Sequence, residues 1–116
     1  MSKNYPEMAT DLSVSINRLR KGIPDTMKGF SAMATAATAD GSLDPKTKEL
    51  IATAIGVAVR CDGCIASHTK AAEKNGASRE EILETLGMAV YMGGGPSVVY
   101  AAQALDAFDQ FTEEAK

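Results

Sequence analysis

Residues 43–68 read LDPKTKELIATAIGVAVRCDGCIASH, and this stretch carries both the helical grammar of the chain and its chemistry. Asp44-Pro45 is a helix start, with Asp as the N-cap and proline at the first helical position, where its missing N–H is no loss. The pattern predicts a helix over residues 45–60. Leu50, Ile51, Ala54, Ile55, Ala58 and Val59 recur at helical spacing and form the expected buried stripe, widened by Val57. Val57 to Val59 has β-branched character but sits inside this longer helical pattern. Cys61 to Cys64 is then the joint to another helix, which stops at Asn75-Gly76.

Outward from this stretch the punctuation stays helical. Met8, Leu12, Ile16 and Leu19 predict an amphipathic helix over residues 6–21, ended by Gly22. Pro24 opens a second helix to about Thr38, with Met27, Phe30, Met33 and Ala34 on its apolar face. Residues 39–42, ADGS, read as a turn. Ser78 with Glu81 is a capping box for a helix to about Met92. Gly93-Gly94-Gly95-Pro96 breaks that helix, and Pro96 starts the last one, whose wide apolar face is Val98, Val99, Ala102, Leu105, Phe108 and Phe111. No strand-like alternation, internal repeat or low-complexity linker interrupts the pattern. The expectation is an all-α single-domain bundle of about six helices over residues 1–116.

Composition narrows the class. The chain of 116 residues suits one domain, and 45% apolar residues place it among globular proteins. That apolar share leans on alanine, with three Phe, three Tyr and no Trp. Such a core packs thin helices closely and needs neighbouring subunits to bury enough area, so a homo-oligomer is expected. The net charge is −3 with acids and bases interspersed, so no basic stripe marks a nucleic-acid partner. No run reaches the length of a membrane span, and residues 1–10 hold no apolar signal core. A cytoplasmic location is expected, and in a reducing compartment a lone Cys-x-x-Cys points to catalysis or metal binding rather than to a structural staple.

The chemistry is concentrated in Cys61-Asp62-Gly63-Cys64-Ile65-Ala66-Ser67-His68, which holds both cysteines and the only histidine. A free thiol, with pKa ~8.5, is mostly protonated at neutral pH. The first turn of a helix offers unpaired N–H groups and a positive dipole end, which favour the thiolate. Asp62 can cap that turn and Gly63 allows a close approach, although the Asp62 charge opposes thiolate formation. The pair can close a disulfide, since their Cβ atoms can reach the ~3.8 Å that such a bond needs. His68 follows Cys64 by one helical turn, where a neutral imidazole can take the thiol proton and return it. A lone histidine is usually a surface residue; the fixed spacing to Cys64 favours function here. Two idle buried cysteines are the bland alternative. A zinc site is the other competitor, but zinc takes four ligands and the local motif offers only Cys61, Cys64 and His68.

Glu49, separated from Cys61 by eleven intervening residues, would on spacing alone be one acid on a solvated face. Glu49 with Cys61-x-x-Cys64-x-x-x-His68, however, resembles the signature of the alkylhydroperoxidase D (AhpD-like) branch of the carboxymuconolactone decarboxylase superfamily. Residues 43–51, LDPKTKELI, together with Cys64-Ile65-Ala66-Ser67-His68 and Gly93-Gly94-Gly95-Pro96, are similar to the same family, and the likeness spans roughly residues 20–112. It implies an all-helical fold assembled into oligomers, often hexamers. It also implies a thiol-dependent hydroperoxide reductase in which Glu49 and His68 relay protons for the redox pair Cys61 and Cys64. Such an enzyme needs no cofactor and takes a hydroperoxide substrate and a thiol or dithiol protein as reductant. Cys64 is the expected nucleophile, being the helical neighbour of His68. Some members carry a histidine between the cysteines where this chain has Asp62-Gly63, a departure that bears on the peroxidase rate. Decarboxylase members lack the Cys pair, which counts against lactone decarboxylation. The alternatives are a redox adaptor with little peroxidase activity and a metal-binding or structural helical oligomer.

Glu49 poses a geometric problem. A straight helix would hold it about 17 Å from Cys61. If the next helix runs antiparallel, the residue level with Glu49 lies beyond His68. A bend, a changed register or a second subunit must close the gap if Glu49 is to be buried within one bridging water of a thiol or of His68.

Overall fold

The computed structural model describes residues 3–116; Met1 and Ser2, within the domain expected over residues 1–116, lie outside the described residues. Six helices follow one another: α1 (Tyr5–Gly22), α2 (Pro24–Thr38), α3 (Pro45–Ala58), α4 (Asp62–Lys74), α5 (Arg79–Gly93) and α6 (Gly95–Glu114). No strand occurs among the described residues. Local chemistry fixes most of the starts. Asn4 accepts the Glu7 N–H at 2.9 Å and Asp44 the Thr47 N–H at 2.7 Å, and Ser78 with Glu81 closes a full capping box. Gly94 separates α5 from α6 with φ 72°, a left-handed conformation that glycine adopts without penalty. Its neighbour Gly93 has no room for a Cβ, because the Ser97 side chain occupies that space.

Helices α3 and α6 pack on each other and on both α4 and α5, and α1 lies across α4 and α6. The interior is made mostly of small residues, among them Ala66, Ala72, Ala89, Ala101, Ala104 and Ala107, with Ile65, Ile82, Phe108 and Phe111 filling the wider gaps. Small side chains let helix axes approach closely, and the density of contacts offsets the modest area of each residue.

The buried faces differ from those expected in two helices. In α3 the buried residues are Glu49, Thr53, Gly56 and Val57, while Ile51, Ile55 and Val59 are 44%, 57% and 64% exposed. In α6 the buried row is Ser97, Ala101, Ala104, Ala107, Phe108 and Phe111; Val98 and Val99 are exposed. Both corrections have one cause. Hydrophobic periodicity ranks bulky side chains above Ala, Gly, Ser and Thr, whereas close helix packing selects the small ones for the interior. The buried hydroxyls stay satisfied by bonding back one turn: Thr53 Oγ1 donates to Glu49 O at 2.8 Å and Thr69 Oγ1 to Ile65 O at 2.6 Å. Helix α2 buries none of its residues, and its expected core members Phe30 and Met33 are exposed.

Candidate functional site

The site is built where α3 hands over to α4. Helix α3 ends at Ala58, short of the expected Arg60, because Arg60 turns to φ 59°. Arg60 N–H donates to Val57 O at 3.1 Å and Cys61 N–H to Gly56 O at 2.9 Å, the paired bonds of a Schellman stop. That stop delivers Cys61 directly into the N-cap position of α4. The cap atom is therefore sulfur rather than the Asp62 carboxylate: Cys61 Sγ accepts the Cys64 N–H at 3.1 Å. Asp62 lies instead in the first turn.

Cys61 and Cys64 are joined by a disulfide, with Cα atoms 5.2 Å apart. Both residues are half-buried. The sulfur of Cys61 thus sits at the positive end of a helix with a backbone N–H aimed at it, an arrangement that supports negative charge on that sulfur when the bond is reduced. Gly56 makes the crossing possible, since a Cβ there would lie 3.2 Å from Cys64 Cβ. Sequence reasoning did not single out Gly56. Its signal was present: it is the one glycine inside the third helix. On the other side Leu12 of α1 covers the loop of the motif, and a Cβ on Gly63 would meet Leu12 Cδ2 at 2.7 Å.

Glu49 is buried, at 9% exposure, and its Oε1 lies 2.7 Å from His68 Nδ1 in the same chain. The geometric problem is solved by side-chain reach. Gly56 lies against Cys64, so the antiparallel register puts His68 level with Ala52 and Thr53, one turn short of Glu49. The small Thr53 leaves the space open, and the two long side chains close the remaining turn. Neither a kink within α3 nor a second subunit is needed. With Glu49 ionised, His68 donates Nδ1–H to it, which leaves Nε2 as the proton-accepting nitrogen. Of the four residues singled out from the sequence, Cys61 and Cys64 are joined at the α3–α4 junction, and Glu49 meets His68 further along the same two helices. Among the described residues no group of three or more His, Cys, Asp and Glu side chains is arranged to hold a metal ion.

Known proteins are similar to this chain in sequence and fold. The carboxymuconolactone decarboxylase family profile matches residues 24–107. A carboxymuconolactone decarboxylase family protein from Legionella pneumophila, solved in its apo form, is 54% identical with a TM-score of 0.92, over 96% of this chain and 99% of that one. A family protein from Thermotoga maritima, for which involvement in an antioxidative response has been suggested, is 31% identical with a TM-score of 0.79, over 97% of this chain and 93% of that one. An uncharacterised protein from Cupriavidus necator is 38% identical over 109 residues, which cover 94% of this chain and 96% of the relative.

Proposed function

Because the chain belongs to the carboxymuconolactone decarboxylase family, in an AhpD-like branch, we propose that it is a thiol-dependent peroxidase whose Cys61–Cys64 pair cycles between dithiol and disulfide. The observation that carries this reading is the junction itself: a disulfide-bonded Cys-x-x-Cys at a helix N-terminus, with a Glu49–His68 contact of 2.7 Å one turn away. The suggested antioxidative role of the Thermotoga maritima relative agrees with it.

In the cycle, His68 Nε2 takes the Cys64 thiol proton, and the thiolate attacks one oxygen of a hydroperoxide. The O–O bond breaks, Cys64 becomes a sulfenic acid, and His68 returns the proton to the departing alkoxide, giving an alcohol. Cys61, whose thiolate the helix end supports, then attacks the Cys64 sulfur and releases water as the disulfide forms. A thiol or dithiol reductant protein restores the pair by exchange. Glu49 fixes the histidine tautomer throughout. No step in this scheme calls on a cofactor.

The chain also assembles with copies of itself in this reading. Helix α2 buries nothing, and Phe30, Met33, Ile51, Ile55 and Val59 together leave more apolar surface than single scattered residues explain. Among the described residues no helix is long and apolar enough to cross a membrane.

The test is mass spectrometry of the reduced pair before and after a stoichiometric pulse of organic hydroperoxide. Loss of two thiols to one intramolecular disulfide, with one equivalent of peroxide consumed, is the expected result. Two free thiols after the pulse would refute the peroxidase. If the pair then still exchanged with a dithiol protein, the redox-adaptor reading would replace it.

A further inference from the structure

Lys3 reaches across the molecule to the redox motif. Its Nζ lies 2.6 Å from Asp62 Oδ2, although the two residues are 59 apart in sequence. Asp62 stands between the cysteines in the first turn of α4, immediately after the sulfur that caps the helix. Its other oxygen, Oδ1, is buried and has no hydrogen-bond partner. A dry carboxylate oxygen is costly to keep, since nothing there replaces the water it has lost. The segment that carries Lys3 is tied down with equal care. Gln110 of α6 donates through Nε2 to Lys3 O at 2.7 Å and accepts the Tyr5 N–H on Oε1 at 2.8 Å. Tyr5 is fully buried, and its hydroxyl donates to Gln103 Oε1 at 3.0 Å.

We propose that Asp62 and Lys3 are an opposed pair of positioning charges that sets the acidity of the Cys61 and Cys64 thiols. A carboxylate on the residue that follows the capping cysteine disfavours a second negative charge at that turn, and an ammonium in contact with that carboxylate cancels part of its effect. The helix end pulls the other way, toward thiolate. Asp62 therefore restrains a sulfur that the fold otherwise activates, and the docked N-terminal segment loosens the restraint.

Other charged groups surround the motif: Glu7 and Asp11 of α1 line a hollow beside Gly63, and Arg20 of α1 and Lys70 of α4 line another. Arg60 precedes Cys61 in the chain. His68 of α4, one helical turn after Cys64, is paired with Glu49 of α3. Tyr5 of α1 stays neutral, because burial, then Asp62, then Asp106 of α6 push its phenol up to about 12. Replacing Asp62 also removes one of the charges that act on Tyr5, so the Lys3 replacements and the double variant are the cleaner probes of the pair. The tuning matters only where the cysteines work as thiols, and so rests on the function proposed above.

The experiment is the pH profile of iodoacetamide labelling on the reduced full chain, with thiols counted by mass spectrometry. Asp62→Asn should move the midpoint down by about one pH unit, which raises labelling at neutral pH about tenfold. Lys3→Gln should move it up, and Lys3→Glu further up. Lys3→Gln added to Asp62→Asn should move it less than Lys3→Gln alone, because the charge it faces is gone. Midpoints that stay fixed, or that shift in the same direction for Asp62→Asn and Lys3→Gln, would overturn the pair. Should Asp62→Asn fail to fold, the two Lys3 variants alone decide, because Lys3 is exposed. Labelling needs only reduced thiols and no peroxide chemistry. A tuned pair that ignores peroxide defeats the peroxidase and leaves the tuning, whereas a pair that consumes peroxide with unmoved midpoints defeats the tuning alone.

Discussion

Helices α2 and α4 are nearly equal in length, 15 and 13 residues, yet they have opposite fates. The sequence of α2, PDTMKGFSAMATAAT, is the more apolar, and none of it is buried. The sequence of α4, DGCIASHTKAAEK, carries a histidine and several charges, and it buries Ile65, Ala66, Thr69 and Ala72. Composition says how much apolar surface a helix owns; position in the fold says whether one chain can cover it. Helix α4 is wedged between α3, α1 and α6, and this fixed setting suits a site whose geometry must hold within fractions of an ångström. Helix α2 touches only α1 and α3, and lightly. Its exposed surface is what the proposed contact between copies would cover.

The sharpest way to break this contrast is at the cysteines. Cys64→Ser should abolish peroxide consumption, while Cys61→Ser should still react once and stop at a Cys64 sulfenic acid, trapped by dimedone and read by mass spectrometry. If the roles come out reversed, the capping sulfur at the helix end rather than the histidine neighbour is the nucleophile. His68→Ala should cost about 100-fold in turnover near neutral pH and flatten its pH profile. Glu49→Gln should fold normally and lose less, since the amide oxygen can still accept from Nδ1 and hold the ring. Equal and complete loss in both variants would mean that the dyad supports the structure and not the proton transfer.

What could be read in the sequence was local. Asp44-Pro45, Ser78 with Glu81, Pro24 and the run Gly93-Gly94-Gly95-Pro96 each set a helix boundary through neighbours within four residues, and the boundaries fall there. The cysteine joint was readable for the same reason. The choice of face on α3 and α6 was not, because it depends on which neighbours come close enough to demand a small side chain. Glu49 and His68 meet over a separation of 19 residues, and only the register set at Gly56 and Cys64 decides that they do. The Lys3–Asp62 contact spans half the chain and leaves no periodic trace.

The α2 side of the contrast is tested by assembly. Phe30→Ser with Met33→Ser removes two exposed apolar side chains. If a second copy covers them, each contributes about 1.5 kcal/mol or more, and the pair should weaken association by more than about a hundredfold. Sedimentation at micromolar concentration should show the original chain as an oligomer and the variant as a smaller species with unchanged helicity. A monomeric original chain would refute self-assembly.

Acid should act through the anchored part of the fold. The Thr47 hydroxyl and backbone N–H hold Asp44 below its ordinary value of 3.8, and the Ser78 N–H, with Lys46, holds Glu81 below 4.5. Both folded-state values are depressed, so their stabilisation is complete above the unfolded values and is lost as pH falls through the folded ones. Thermal melts should therefore be flat from neutral pH down to about pH 5 and fall below about pH 4.5. Asp44→Asn with Glu81→Gln should shrink that fall. Helix α2 has no side-chain cap and adds nothing to it.

The smallest effect is expected at the joint that holds α4 in place. The chain closes two helices with the same Schellman geometry. After α4 the left-handed position is Gly76 at φ 85°, and after α3 it is Arg60 at φ 59°. Glycine takes that conformation freely, while a residue with a Cβ is disfavoured by about 1 kcal/mol. Arg60→Gly should relieve this, less the greater freedom glycine has in the unfolded chain, for a net gain of about half a kcal/mol and a rise of about 2–4 °C in Tm. The guanidinium precedes the capping sulfur, so the same variant should slow iodoacetamide labelling of the reduced pair. Arg60→Lys keeps the charge and the strain and should change neither. A stabilised Arg60→Gly with unaltered labelling would mean that arginine at this turn is a steric accident. A stabilised variant with slower labelling would mean that the strain is retained for the charge it places beside Cys61.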